Sequence, residues 1–213
     1  MPTQQLVARA GERWRALWNH LNVDAPSVDN FREIVAAYGK GDRHYHTLEH
    51  VLDCLRVFDQ FEHLAARPAE IEVALWFHDA VYDTQRKDNE EASARWATRV
   101  LRAVGIENDA VDRIRRMILA TRHQDPPGTP DEALALDVDL SILGREPEEF
   151  AVYQEQVRRE YAWVPDDAYH RARAGILKRF LERESIFRTP EVRAKYERAA
   201  RSNIESSLYL EPR

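Results

Sequence analysis

Apolar residues recur at three- and four-residue intervals along almost the whole chain, which is the periodicity of amphipathic helices. Leu6, Ala10, Trp14, Leu17 and Leu21 form one stripe, and Phe31, Ile34, Val35 and Tyr38 form a second that Gly39 terminates. A third helix is predicted from near Thr47 to about Ala65, carrying Val51, Leu55, Phe58 and Phe61. Pro68 suits the first position of a fourth, which carries Ile71, Ala74, Leu75 and His78 on one face. Asp88 followed by Glu91 resembles a capping box that starts a fifth, ending before Gly105. A sixth is predicted over 108–122 and a seventh over 131–143, with Gly144 as its stop. Pro147, Pro165 and Pro190 each open a further helical pattern. No segment alternates with period two for long enough to predict a strand. The expected fold is all-α, about ten helices in a single domain over 1–213, with 151–213 as an appended helical layer. Tyr196, Ile204, Leu208 and Tyr209 in the C-terminal stretch suit either a cap on the core or a dimer face.

Composition narrows the class. Seven glycines among 213 residues is under half the usual share of about 7%, so Gly-loop-rich and collagen-like architectures are excluded. With 44% apolar residues the chain can bury a sizeable core. A net charge of −6 argues against a binder of nucleic-acid polymers or membrane surfaces, which would carry a basic balance or stripe. No apolar run approaches the ~18 residues that span a bilayer. Nor does the N-terminus resemble a signal peptide. One cysteine, Cys54, excludes an intramolecular disulfide and reads as a small buried hydrophobe. A cytoplasmic location is the expectation.

The histidines and acids carry the chemistry. Of eight histidines, His20, His63 and His170 stand alone on charged helices and read as surface residues. His44, His46 and His50 fall close together. On a helix, His46 and His50 would lie about 40° apart, on one face. His78 is flanked at helical spacing by Ala74, Leu75, Val81 and Tyr82, so its imidazole should be buried. Asp79 follows it directly, and a buried carboxylate needs a partner, an arginine or a metal ion. Asp139 has Ala135, Leu136, Ile142 and Leu143 around it and points into the same kind of stripe. Asp137 lies about 200° round the helix, so the two cannot both face one site. Asp139 is the preferred inward acid and Asp137 the fallback. Two imidazoles and two carboxylates make a mixed N/O set that suits Mn, Fe, Co or Ni and tolerates Mg or Zn.

The order His50 … His78-Asp79 … Asp139 resembles the H…HD…D signature of the HD superfamily of metal-dependent phosphohydrolases. Tyr45-His46-Thr47-Leu48-Glu49-His50 looks like that superfamily's Y-H-x-x-x-H segment, and Asp139-Leu140-Ser141 like the segment of its last metal-binding Asp. The stretch from His78 to Tyr82, with Asp88-Asn89-Glu90-Glu91-Ala92-Ser93-Ala94, resembles a bacterial subgroup of predicted HD phosphohydrolases. The resemblance covers roughly 30–185 and implies the HD-type helical bundle. It implies metal ligation by His50, His78, Asp79 and Asp139, and proton donation to the leaving oxygen by His46, with Asp79 also counted as catalytic. Arg43, Arg122 and His123 are candidates for substrate contact. Asp83, Glu90 and Glu91 are candidate acids beside the site. Only His123 stands where related proteins bring two further histidines, so one divalent ion is expected. The implied reaction is hydrolysis of a small phosphate ester, a nucleotide being the first guess by analogy. Three other readings compete. His46-Thr47-Leu48-Glu49-His50 spells H-x-x-E-H, the word of a zinc metallopeptidase. An HD-fold iron oxygenase and a non-catalytic helical binding module are the others.

Overall fold

Prolines and small hydroxylated residues stand at most helix starts in this chain. The computed structural model describes residues 2–210 apart from positions 22 and 25, and among these it contains ten α-helices. They are α1 (Gln4–His20), α2 (Val28–Tyr38), α3 (Leu48–Phe61), α4 (Pro68–Phe77), α5 (Asn89–Ala103), α6 (Asn108–Ala120), α7 (Pro130–Asp139), α8 (Pro147–Glu160), α9 (Asp166–Leu181) and α10 (Pro190–Leu210). Thr3, Ser27 and Thr129 accept from backbone N–H groups in the first turns of α1, α2 and α7, the usual way of satisfying donors left free at a helix start. Pro68, Pro130 and Pro147 occupy first positions, where a missing N–H costs nothing.

Three boundaries differ from the periodicity. The third helix stops at Phe61 and tightens into a 3-10 turn over Glu62–Leu64. The sixth ends at Ala120 rather than 122. The seventh changes character at Asp139, giving way to a 3-10 segment over Leu140–Gly144. Gly144 is not there to supply a left-handed stop. A Cβ on it would lie 2.6 Å from the Tyr196 carbonyl oxygen, so glycine is required because α10 crosses against it.

Helix α4 forms the centre. All residues from Glu70 to Phe77 are buried, and its neighbours are α1, α3, α5, α6 and α7. The fourth helix therefore has no solvent face, where the sequence suggested one apolar side. Its two acids are neutralised from outside. Arg113 grips Glu70 at 2.7 and 2.6 Å, and Arg13 grips Glu72 at 2.8 and 2.8 Å, each through two guanidinium nitrogens. Trp14 of α1 packs edge-on against both Trp18 and Trp76, with ring centroids 5.2 Å apart in each case.

The terminal helices share this core. Ala10, Trp14, Leu17 and Trp18 of α1 belong to the same apolar cluster as Val192, Tyr196, Ala200 and Ile204 of α10. The C-terminal stretch thus caps the core through Tyr196 and Ile204, with Leu208 packed at the edge and Tyr209 exposed. Cys54 is buried, as its surroundings of helical apolar residues predicted. No helix among the described residues is long and apolar enough to cross a membrane.

Candidate metal centre and its cleft

Three helix ends meet beside α4. His50 lies in the first turn of α3, His78 caps the C-terminus of α4, Asp79 follows in the turn, and Asp139 is the last residue of α7. The Nε2 atoms of His50 and His78 are 3.2 Å apart. Asp139 Oδ1 is 3.3 Å from the first and 3.4 Å from the second. Asp79 Oδ2 lies 3.0 Å from His78 Nε2 and 3.9 Å from His50 Nε2. These are the four residues of the H…HD…D order, brought to one point by 28 residues of chain in one case and an intervening pair of helices in the other.

The tautomer of His78 follows from its other nitrogen. Nδ1 sits 2.9 Å from the Leu75 carbonyl oxygen, which can only accept, so Nδ1 carries a proton. In the neutral ring Nε2 is then a bare lone pair, aimed at a second imidazole nitrogen and two carboxylate oxygens. Four Lewis bases facing one another in a buried place need a positive charge between them. A proton supplies it on His78: burial disfavours the imidazolium, but Asp79 and Asp139 outweigh this and hold its pKa well above the ordinary value. Burial likewise opposes ionisation of both acids, yet the histidines keep them well below the usual carboxylate range, His78 and His46 acting on Asp79 and His123, His50 and His78 on Asp139. His50, His78 and Asp139 present ligand atoms within 4.8 Å of one another, a group that could hold a divalent cation in place of that proton, with Asp79 beside it.

His46 is held differently from the spacing argument. It precedes α3 rather than lying on it, in a segment bonded to Glu160. One Glu160 oxygen accepts the backbone N–H groups of His44, Tyr45 and His46 at 2.8, 2.8 and 2.9 Å. That oxygen holds the chain in a turn over His44–His46, and α3 begins only at Leu48. The other Glu160 oxygen meets His46 Nδ1 at 2.6 Å and accepts from the Tyr82 hydroxyl at 3.1 Å. Tyr82 also stacks on the His46 ring, with centroids 4.0 Å apart. The remaining ring nitrogen of His46, Nε2, faces Asp79 Oδ2 at 4.0 Å. This arrangement also parts the H-x-x-E-H word: His46 is off the helix, and Glu49 is bonded to Thr47 at 3.0 Å.

His123 is the one non-glycine residue with positive φ among those described, at 55°. That conformation turns its ring so that Nε2 reaches Asp139 Oδ2 at 3.1 Å. Asp137, the fallback, is resolved against. It points to the opposite side of α7 and accepts from the backbone N–H groups of Arg188 and Thr189 ahead of α10.

Arg43 is not placed to touch a substrate. Its guanidinium is buried and donates to the carbonyls of His46, Asp79 and Ala80 at 3.1, 2.7 and 3.0 Å. It braces the turns that carry the site, which corrects the substrate-binding expectation. Arg122 does line the cleft over the cluster, paired with Glu91 and, at 3.7 Å, with Glu90. Asp83 caps a local turn through the Gln85 N–H and stays outside the cleft lining.

That cleft has a volume of about 1010 Å³. His46, His78, Asp79, His123 and Asp139 lie along it. Its walls are aromatic, from Tyr82, Tyr161, Trp163 and Tyr169, and cationic, from Arg173, Arg179 and Arg183. Arg183 donates to the His123 carbonyl at 2.8 Å and lies over the Phe180 ring. Burial together with Arg188 and Arg179 lowers the pKa of its guanidinium. Arg173 is bonded to Gln154 and Tyr153. None of these arginines was singled out from the sequence, and neither was Glu160. In a chain with 31 lysines and arginines, α9 reads as a solvated basic helix. Glu160, beside Arg158 and Arg159, reads as a surface charge. Comparison with known protein families, curated proteins and solved structures finds no match for this chain.

Proposed function

We propose that this protein is a metal-dependent phosphohydrolase acting on a small phosphate ester. The observation that carries the reading is the convergence of His50, His78, Asp79 and Asp139, the last three of which line an arginine-bearing cleft, beside a histidine clamped by a buried carboxylate. The resemblance of these residues to the HD superfamily adds to it.

His50, His78, Asp79 and Asp139 would hold one divalent ion. Such an ion, when bound, lowers the pKa of water and polarises phosphoryl oxygens. The chain's own groups do the rest. Arg179 and Arg183 offer guanidinium donors to the non-bridging oxygens of an anionic ester. Asp79 accepts a hydrogen bond from the attacking water and fixes its approach. The water oxygen forms a bond to phosphorus as the ester P–O bond breaks, and the departing alkoxide needs a proton. His46 Nε2 faces the cluster and delivers it. Glu160 keeps the ring oriented through its contact with Nδ1. The aromatic wall of Tyr82, Tyr161 and Trp163 suits a substrate with a flat organic part.

The test is phosphate release from a panel of phosphate esters and nucleotides with manganese, for wild type and Asp79→Ala. Release by the wild type alone is expected. Equal release by Asp79→Ala sinks the reading, and so does no release from any ester by a protein carrying stoichiometric metal.

A further inference from the structure

A second groove lies away from the cleft, between α5 and α6, with a volume of about 500 Å³. Four arginines line it: Arg95, Arg99 and Arg102 from α5, and Arg115 from α6. The three on α5 stand four and three residues apart, which puts them within about 60° of arc on one side of the helix. Like charges at this spacing repel and cost helix stability. Only Arg95 is offset by an acid, Asp88 at 3.2 Å. No ion pair joins Arg99, Arg102 or Arg115 to a carboxylate among the described residues, although the chain has 37 acids to place. Two acids share the lining, Asp112 and Glu91, and Glu91 is committed to Arg122. Ala94, Thr98 and Leu119 complete the lining, so the groove gathers four arginines around an uncharged centre.

We propose that this groove is a binding site for a small polyphosphate-bearing anion, separate from the catalytic cleft. Guanidinium groups from two helices present paired N–H donors to phosphate oxygens, which a compact multiply charged anion can use together. The short groove and the net negative charge of the chain disfavour a nucleic-acid backbone, which needs an extended basic track. The site would be felt at the cleft, because Glu91 lines the groove and its partner Arg122 lines the cleft. An anion among the four arginines crowds Glu91 and shifts that pair.

The experiment is a calorimetric titration of the metal-free full chain with tripolyphosphate at low salt. It compares wild type, Arg99→Glu/Arg102→Glu, and the cleft variant Arg179→Glu/Arg183→Glu, each checked for an unchanged melting temperature. We expect a binding event that the α5 variant weakens at least tenfold and the cleft variant leaves in place. A wild-type protein without any such event overturns the proposal, as does one whose binding the α5 variant does not alter. Tighter binding of a hexaglutamate peptide than of tripolyphosphate reassigns the groove to an acidic protein segment and also overturns it. The titration needs no turnover, so its outcome is independent of the hydrolase reading.

Discussion

Glu160 is the residue that fixes His46. It spends one oxygen on three backbone amides and the other on His46 and Tyr82, so it both shapes the turn before α3 and sets the ring. His46→Ala should lower turnover about 100-fold or more while metal content stays near one ion per chain. Glu160→Gln should lower it about tenfold with unchanged metal content. Metal analysis beside kcat checks both, and parallel loss of metal would make His46 a ligand instead. The same carboxylate has a pH signature. Despite burial, His46 and the amides of His46 and His44 bring its pKa from 4.5 down to about 2. A depressed acid stabilises the fold above its unfolded pKa and loses that contribution as pH falls through the folded one. A depression of this size, 4.5 to about 2, corresponds to on the order of 3 kcal/mol. Denaturant melts should therefore show wild-type stability falling between pH 4.5 and 2, and a shallower fall in Glu160→Gln.

At the scale of elements, α10 crosses closely over the 3-10 segment. Gly144 meets the Tyr196 backbone there, and Asn203 donates to the Leu143 and Arg145 carbonyls at 2.9 and 2.8 Å. Gly144→Ala should destabilise by about 1–3 kcal/mol, since a backbone oxygen cannot swing aside as a side chain can. At roughly 2–4 °C per kcal/mol for a chain of this size, a thermal melt resolves it, and an unchanged melting temperature would show that α10 can shift. Asp137 pins the start of the same helix while Asp139, two residues on, joins His50 and His78. One short helix thus serves structure on one side and the site on the other.

At the scale of the molecule, the site joins helices that are distant in the chain, so an ion bound there ties α3, α4 and α7 together. Metal at a hundred times its Kd stabilises the fold by about 2.7 kcal/mol. Manganese should therefore raise the melting temperature by roughly 5–10 °C, chelator should reverse the rise, and Asp79→Ala should abolish it. A melt indifferent to manganese would remove the metal from the account.

Much of this was legible along the chain because helices write themselves locally. Apolar spacing, capping residues and prolines act within a few residues, so the all-α class, most of the helix starts and the inward direction of His78 and Asp139 could be read from the sequence. The choice of Asp139 over Asp137 followed from helix geometry, and the structure places them on opposite sides of α7. What depended on long-range packing could not be read. Arg43 turned inward because three carbonyls in two distant turns needed a donor. His46 precedes the helix, in a turn held by a carboxylate 114 residues away. Arg173 and Arg179 of α9, with Arg183 just after it, became a cleft wall only when that segment was laid over the cluster. A charge declares its type in the sequence, but its partner is whatever the fold brings within a few ångströms, and the tertiary structure alone decides that.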